Sequence, residues 1–153
     1  MRIHIVSAGR FDAGPERALY EHFAERFAPI GRQLSLGPLT LHEVVARGKL
    51  READAMAAAI PGGAARIALD PRGKSLSSEE LSQALAKRRD DGNPALAFLI
   101  GGADGLGGLR EQADLLISFG AATWPHLLVR GMLAEQLYRS ATILVNHPYH
   151  RGG

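Results

Sequence analysis

Six apolar residues in a row, Ala95 to Ile100, run directly into the glycine pair Gly101-Gly102. A strand with apolar side chains on both faces must be covered on both faces. That is the condition of an inner strand in a layered α/β sheet, not of a half-exposed hairpin. Gly92-Asn93-Pro94 punctuates the chain just before this run, so both ends are marked as turns.

The remaining elements arrange themselves around that strand. Arg2 to Ser7 alternates, with Ile3 and Ile5 facing one way and His4 the other, and Gly9 closes this first strand. Pro15 suits a helix's first turn. Leu19, Tyr20, Phe23 and Phe27 recur at helical spacing and predict about three turns of amphipathic helix, stopped by Pro29 and Gly31. A second strand is expected around Gln33 to Leu36. Leu41 to Ile60 reads as a helix broken near Gly48 and ended by Pro61-Gly62-Gly63. Arg66 to Asp70 reads as a short buried strand.

Ser77 and Glu80 have the spacing of a capping box. Leu81 and Leu85 come next as an i, i+4 pair, and Lys87, Arg88 and Arg89 complement the far end of the helix dipole. Leu109 to Ala113 suggests a short helix, Leu115 to Phe119 a strand, and Pro125 to Val145 a long helix. Strand and helix alternate about five times, which predicts an α/β domain with a largely parallel sheet flanked by helices. No repeat, low-complexity tract or linker interrupts the sequence, so residues 1–153 are expected to form one domain.

Charge and composition remove several classes of function. Net charge is only +2, from 18 basic and 16 acidic residues, so any RNA surface has to come from local cations or from a partner subunit. Cysteine is absent, which excludes disulfides, thiolate metal sites and cysteine nucleophiles. No stretch approaches the roughly 20 apolar residues of a membrane span. The N-terminal residues lack the apolar core of a secretory signal, and a cytoplasmic protein is expected.

Two nucleotide-binding patterns fail on inspection. Gly73-Lys74-Ser75 ends like a P-loop, but Ala68 stands where the first glycine belongs. Gly105-x-Gly107 needs glycine or alanine at 110, where Arg110 stands. A stronger feature is a set of three small-residue turns, each directly after a strand: Leu69 to Gly73, Gly101 to Gly105, and Gly120 to His126. Ligands of open α/β sheets bind at the carboxyl ends of strands, so these turns either converge on a pocket or are plain tight turns.

LIGGADGL, from Leu99, and TWPHLLVRGMLAEQLYRSATILVNHPYHR, from Thr123, carry a resemblance. They resemble the bacterial large-subunit ribosomal RNA pseudouridine (N3) methyltransferase family of the SPOUT class. The match is close from Leu96 to Arg151 and looser before it. Ala103 and Asp104 stand where Pro and Glu are commoner, Ala122 where a larger aliphatic is usual, and Trp124 is unusually large for its site.

The resemblance implies a SPOUT-type fold with a C-terminal trefoil knot, the knot and cofactor site spanning roughly residues 66–151. It implies S-adenosyl-L-methionine as cofactor, held by Leu69, Gly101, Gly102, Phe119, Gly120, Ala121, Ala122, Thr123, Trp124, Pro125 and His126. It implies ribosomal RNA or the assembled ribosome as substrate, a homodimer, and neither membrane nor DNA as partner.

Methyl transfer to a ring nitrogen needs in-line placement, loss of the ring proton and help for the resulting anion. Arg130, Glu135, His147, Tyr149, His150 and Arg151 are the candidates for that work. Blander readings stand beside these: Glu135 and Arg139 as a surface i, i+4 pair, His126 as a helix-start residue, and the tail as idle and solvated. His147-x-x-His150 lacks further ligands for a metal. A ribosome- or RNA-binding protein of the same fold without transfer activity is the alternative, and a nucleotide hydrolase built on Gly73-Lys74-Ser75 is a remoter one.

Overall fold

The computed structural model describes residues 1–47 and 50–152. Five strands form one parallel sheet in the order β2-β1-β4-β3-β5. They are β1 (Arg2–Ala8), β2 (Leu39–Val44), β3 (Ala65–Ser75), β4 (Ala95–Ile100) and β5 (Leu115–Ser118). The apolar run is the middle strand, and each of its six residues is buried. Hydrogen bonding to β1 on one side and β3 on the other satisfies its backbone.

Among the described residues four α-helices cover the sheet: α1 (Pro15–Gln33), α2 (Glu52–Ala59), α3 (Ser78–Asp90) and α4 (His126–Leu144). One face carries Ile3, Ile5, Ile67, Phe98 and Ile117, packed with Phe27 of α1, Leu85 of α3 and Leu133 and Leu137 of α4. The other carries Val6, Ala8, Ala68 and Leu99, packed with Met56 of α2 and Leu109. Burial of each large side chain contributes roughly 1.5–3 kcal/mol before entropy is counted. α1 and α4 approach closely because Gly131 leaves room for Leu19, whose Cδ2 stands 2.8 Å from where a Cβ would be.

Several expectations are corrected. α1 does not stop at Pro29 but runs 19 residues with that proline inside. A proline forfeits one backbone bond, and here Phe27 and Ile30 packing into the core keep the last turns helical. Gln33 to Leu36 is consequently helix end and turn, and the second strand begins at Leu39, paired with Ile3. Leu41 to Val44, read as helix, lies in that edge strand, and only Glu52–Ala59 is helical. The break expected near Gly48 lies outside the described residues. Leu109 to Ala113 is the end of a 3₁₀ turn (Gly107–Leu109) followed by a further turn, not a helix.

The capping box is present as read: Ser77 Oγ accepts the Glu80 N–H at 3.1 Å, and Glu80 Oε2 accepts the Ser77 N–H at 2.7 Å. β3 is longer than expected and irregular. Leu69 pairs with Ile117, and after Asp70 to Gly73 have looped out, Lys74 pairs with Ile117 again. Gly73 is required there, since a Cβ on it would lie 2.6 Å from the backbone of Ile117.

Candidate active site

The β3 loop, the turn after β4 and the segment after β5 meet at one end of the sheet. They enclose a cavity of about 420 Å³, a size ordinary for a small-molecule site. Leu69, Gly101, Gly102, Phe119, Gly120, Ala122, Thr123, Trp124, Pro125 and His126 line it. Ala121 is the one residue of that expected set that does not. Ile100, Leu106, Ile117 and Val129 add apolar wall that the motifs alone do not mark.

Asp70 also lines the cavity; it lies in the Leu69 to Gly73 turn but is not among the residues expected to hold the cofactor. Its Oδ1 accepts the Arg72 backbone N–H and Nε–H, both at 2.9 Å, and Oδ2 accepts Arg72 Nη2–H at 3.0 Å. Arg110 stands 3.6 Å away. The bond from the Arg72 side chain holds this carboxyl down to about 2 against the cost of burial. An Asp70 ionised at neutral pH thus fixes the β3 loop as one wall.

The glycine pair has a reason that ligand approach alone does not supply. A Cβ on Gly101 would meet the Gly105 backbone at 2.8 Å, and one on Gly102 would meet Glu52 Oε1 at 3.0 Å. The turn is folded on itself and backed by α2. Trp124, 43% exposed, stands at the cavity, its Nε1–H donating to the Phe119 carbonyl at 3.2 Å. His126 is exposed at the first position of α4, so it is both a helix-start residue and a lining residue.

The expected catalytic set separates into three places. Arg130 is fully buried and does not line the cavity. Its Nη2 donates to the carbonyls of Ala8 at 2.7 Å and Gly9 at 3.0 Å, and its guanidinium lies 4.7 Å from the Phe11 ring centre. Burial lowers its pKa, and its structural duty is to tie α4 to the end of β1.

Glu135, Tyr149 and His150 come together with Arg139. Glu135 Oε1 accepts from Arg139 Nε at 2.9 Å and Nη2 at 2.6 Å, and from the Tyr149 hydroxyl at 3.0 Å. The Glu135–Arg139 pair is not a surface pair, its side chains being only 18% and 15% exposed. Tyr149 lies under the Arg139 guanidinium at 4.8 Å and against Tyr138 at 4.7 Å between ring centres. Burial, then the bond to Glu135, raises the Tyr149 pKa, and Glu135 raises that of Arg139. The tail is therefore tied down, in a 3₁₀ turn over Pro148–Gly152.

His147 and Arg151 are exposed. His147 Nδ1 accepts the Tyr149 N–H at 3.1 Å, while Arg151 makes no ion pair among the described residues. No cluster of three metal-ligating side chains occurs among the described residues. The α4 leucines divide: Leu133 and Leu137 belong to the core, while Leu128 and Met132 are half-buried.

A second cavity, of about 640 Å³, adjoins the first. Glu135, Gln136, Met132, Leu19 and Phe23 line it, and it shares the strip Ile117 to Gly120 with the first cavity.

The chain is similar to known proteins in sequence and in fold. The family model described as "Predicted SPOUT methyltransferase" matches residues 1–150. Proteins named ribosomal RNA large subunit methyltransferase H are similar over 99% of this chain and 99% of their own length. The one from Xanthobacter autotrophicus is 50% identical over 159 residues, and the one from Dinoroseobacter shibae 52% over 155. A solved structure described as a probable methyltransferase from Bordetella pertussis Tohama I shares the fold with a TM-score of 0.51. It is 15% identical and covers 92% of this chain and 94% of that one.

Proposed function

Because the chain belongs to the SPOUT methyltransferase family, we propose that it methylates N3 of a pseudouridine in large-subunit ribosomal RNA, using S-adenosylmethionine. The observation that carries this is the meeting of three strand-end turns around one cavity, on a chain half identical over its full length to named ribosomal RNA methyltransferases.

The residues present fit that cofactor. Leu69, Ile100, Phe119 and Trp124 give apolar cover for an adenine ring, and backbone groups of the Gly101–Gly105 and Gly120–Pro125 turns give polar partners for its edge and the ribose. When bound there, S-adenosylmethionine supplies a methyl group already activated by its sulfonium. The chain's own task is to place the acceptor nitrogen in line and to manage its proton and charge.

Glu135, bonded by Arg139 and Tyr149, is the acceptor at the centre of a polar cluster. Arg151, two residues beyond Tyr149, is an exposed cation with no ion pair among the described residues. Arg151 suits the phosphate or the anionic ring of an RNA substrate, while Tyr149 braces Glu135. In this reading the protein is a homodimer, with one subunit's tail facing the other's cofactor cavity. The half-buried Leu128 and Met132 support such a contact, as does the small net charge, which a second subunit's surface offsets. The trefoil knot is part of this reading through the family resemblance, with α4 returning to pack on α1 after β5. The whole chain acts as one domain in the cytoplasm.

The test is transfer of labelled methyl to ribosomes from cells lacking this protein, with mass spectrometry of the ribosomal RNA. One methyl gained on a pseudouridine is expected. Ribosomes that stay unlabelled while the protein binds them would establish a binding protein without transfer activity instead.

A further inference from the structure

The first turn of α3 carries two adjacent acids, Glu79 and Glu80. Glu80 is consumed by the capping box. Glu79 is not: its Oε1 lies 2.7 Å from Nε2 of His150, in the tail. Ser78, the residue before it, donates from Oγ to Gln136 of α4 at 2.7 Å, so this turn grips both α4 and the tail beyond it.

The imidazole of His150 is bridged on both sides. Nε2 faces the Glu79 carboxylate, an acceptor only, and Nδ1 faces Arg139 Nη1, a donor only, at 3.3 Å. One neutral tautomer satisfies both contacts: the proton on Nε2 and the lone pair on Nδ1. Neither nitrogen is left to take a proton from a substrate. His150 is thereby a strut in a chain of side chains, Glu135–Arg139–His150–Glu79, that pins the turn on which Arg151 stands. The bond from His150 is also the first cause of the lowered Glu79 pKa.

We propose that Glu79 is a positioning residue for the substrate side of the site: through His150 it fixes where Arg151 is presented to the RNA. This rests on the reading of the tail as the part that meets RNA. Residue 79 does not line the cofactor cavity, so its effect belongs to RNA recognition and not to cofactor binding.

The experiment compares Glu79→Ala, Glu79→Gln, His150→Ala and the double variant Glu79→Ala/His150→Ala in the full-length protein. Nitrogen-15 NMR of the imidazole is expected to report the Nε2–H tautomer in the parent and the loss of a fixed tautomer in Glu79→Ala. KM for ribosomes is expected to rise roughly three- to tenfold in Glu79→Ala, the size of one lost hydrogen bond, with kcat and S-adenosylmethionine affinity unchanged within about twofold. Glu79→Gln, which keeps an acceptor oxygen, restores most of that loss. The double variant matches His150→Ala, because the two residues act as one unit.

A parent tautomer with the proton on Nδ1 would overturn the proposal. So would a Glu79→Ala variant with parental KM, or one that loses cofactor affinity in step with KM. If the parent methylates nothing, the functional reading fails, while the NMR arm still decides whether Glu79 holds the tail.

Discussion

On one side of the strip Ile117 to Gly120 lies a cavity walled largely by turns; on the other lies a cluster of ion-paired and hydrogen-bonded side chains. The first is shaped by where glycine backbones can go, and its one ionised wall residue, Asp70, is neutralised by its neighbour Arg72. The second is shaped by charge, with Glu135 accepting from both Arg139 and Tyr149. A neutral, turn-built pocket suits a small ligand gripped by backbone groups, and a charged cluster suits a proton and an anionic ring. This division of labour is testable, because damage to one side should spare the other.

The largest effect is expected on the cavity side. Gly101→Ala forces a methyl group into the Gly105 backbone, and cofactor affinity by calorimetry should fall on the order of 100-fold, as overpacked backbone cannot relax cheaply. The tail hydrogen bonds should persist. Glu135→Ala should do the reverse. It leaves Arg139 without its carboxylate, and ribosome methylation should drop roughly 10- to 100-fold while cofactor affinity stays within about twofold.

Asp70 gives a pH signature to the cavity wall. Its folded value of about 2 lies below the ordinary carboxylate value, so the stability it contributes is present above roughly pH 4 and is lost as pH falls through about 2. After allowance for the exposure of Arg72, that contribution is on the order of 1–2 kcal/mol. Asp70→Asn should lower the melting temperature at neutral pH and make the acid limb shallower. The smallest effect belongs to Tyr149→Phe, which removes one hydrogen bond to Glu135. Methyl transfer should fall about fivefold with no change in the acid limb.

The two regions also differ in how far they can be read from sequence. Ala95 to Ile100 and the turn after it are legible because a continuous apolar run and paired glycines have local meanings. The Ser77–Glu80 capping box is legible for the same reason. Pro29 misleads, because packing of Phe27 and Ile30 against the core outweighs one missing backbone bond. Asp70 is not legible as a wall residue, because its bonds to Arg72 depend on the looped register of β3, which no short window reveals.

The Glu135–Arg139 spacing is visible, but its burial is not, since that comes from Tyr149 folding back over it. Glu79 and His150 are 71 residues apart, and only the docking of α3 beside α4 joins them. Arg130 reads as a site residue by position, and its burial with its guanidinium on the carbonyls at the end of β1 is not visible from sequence.

Trp124 is the only tryptophan in the chain and stands at the cavity. Titration of its fluorescence with S-adenosylmethionine is therefore the shortest route to the central claim. The account predicts a saturable change in the parent, the same change in Tyr149→Phe, and none over the same range in Gly101→Ala. A flat titration in the parent, or equal saturation in the parent and Gly101→Ala, would contradict it.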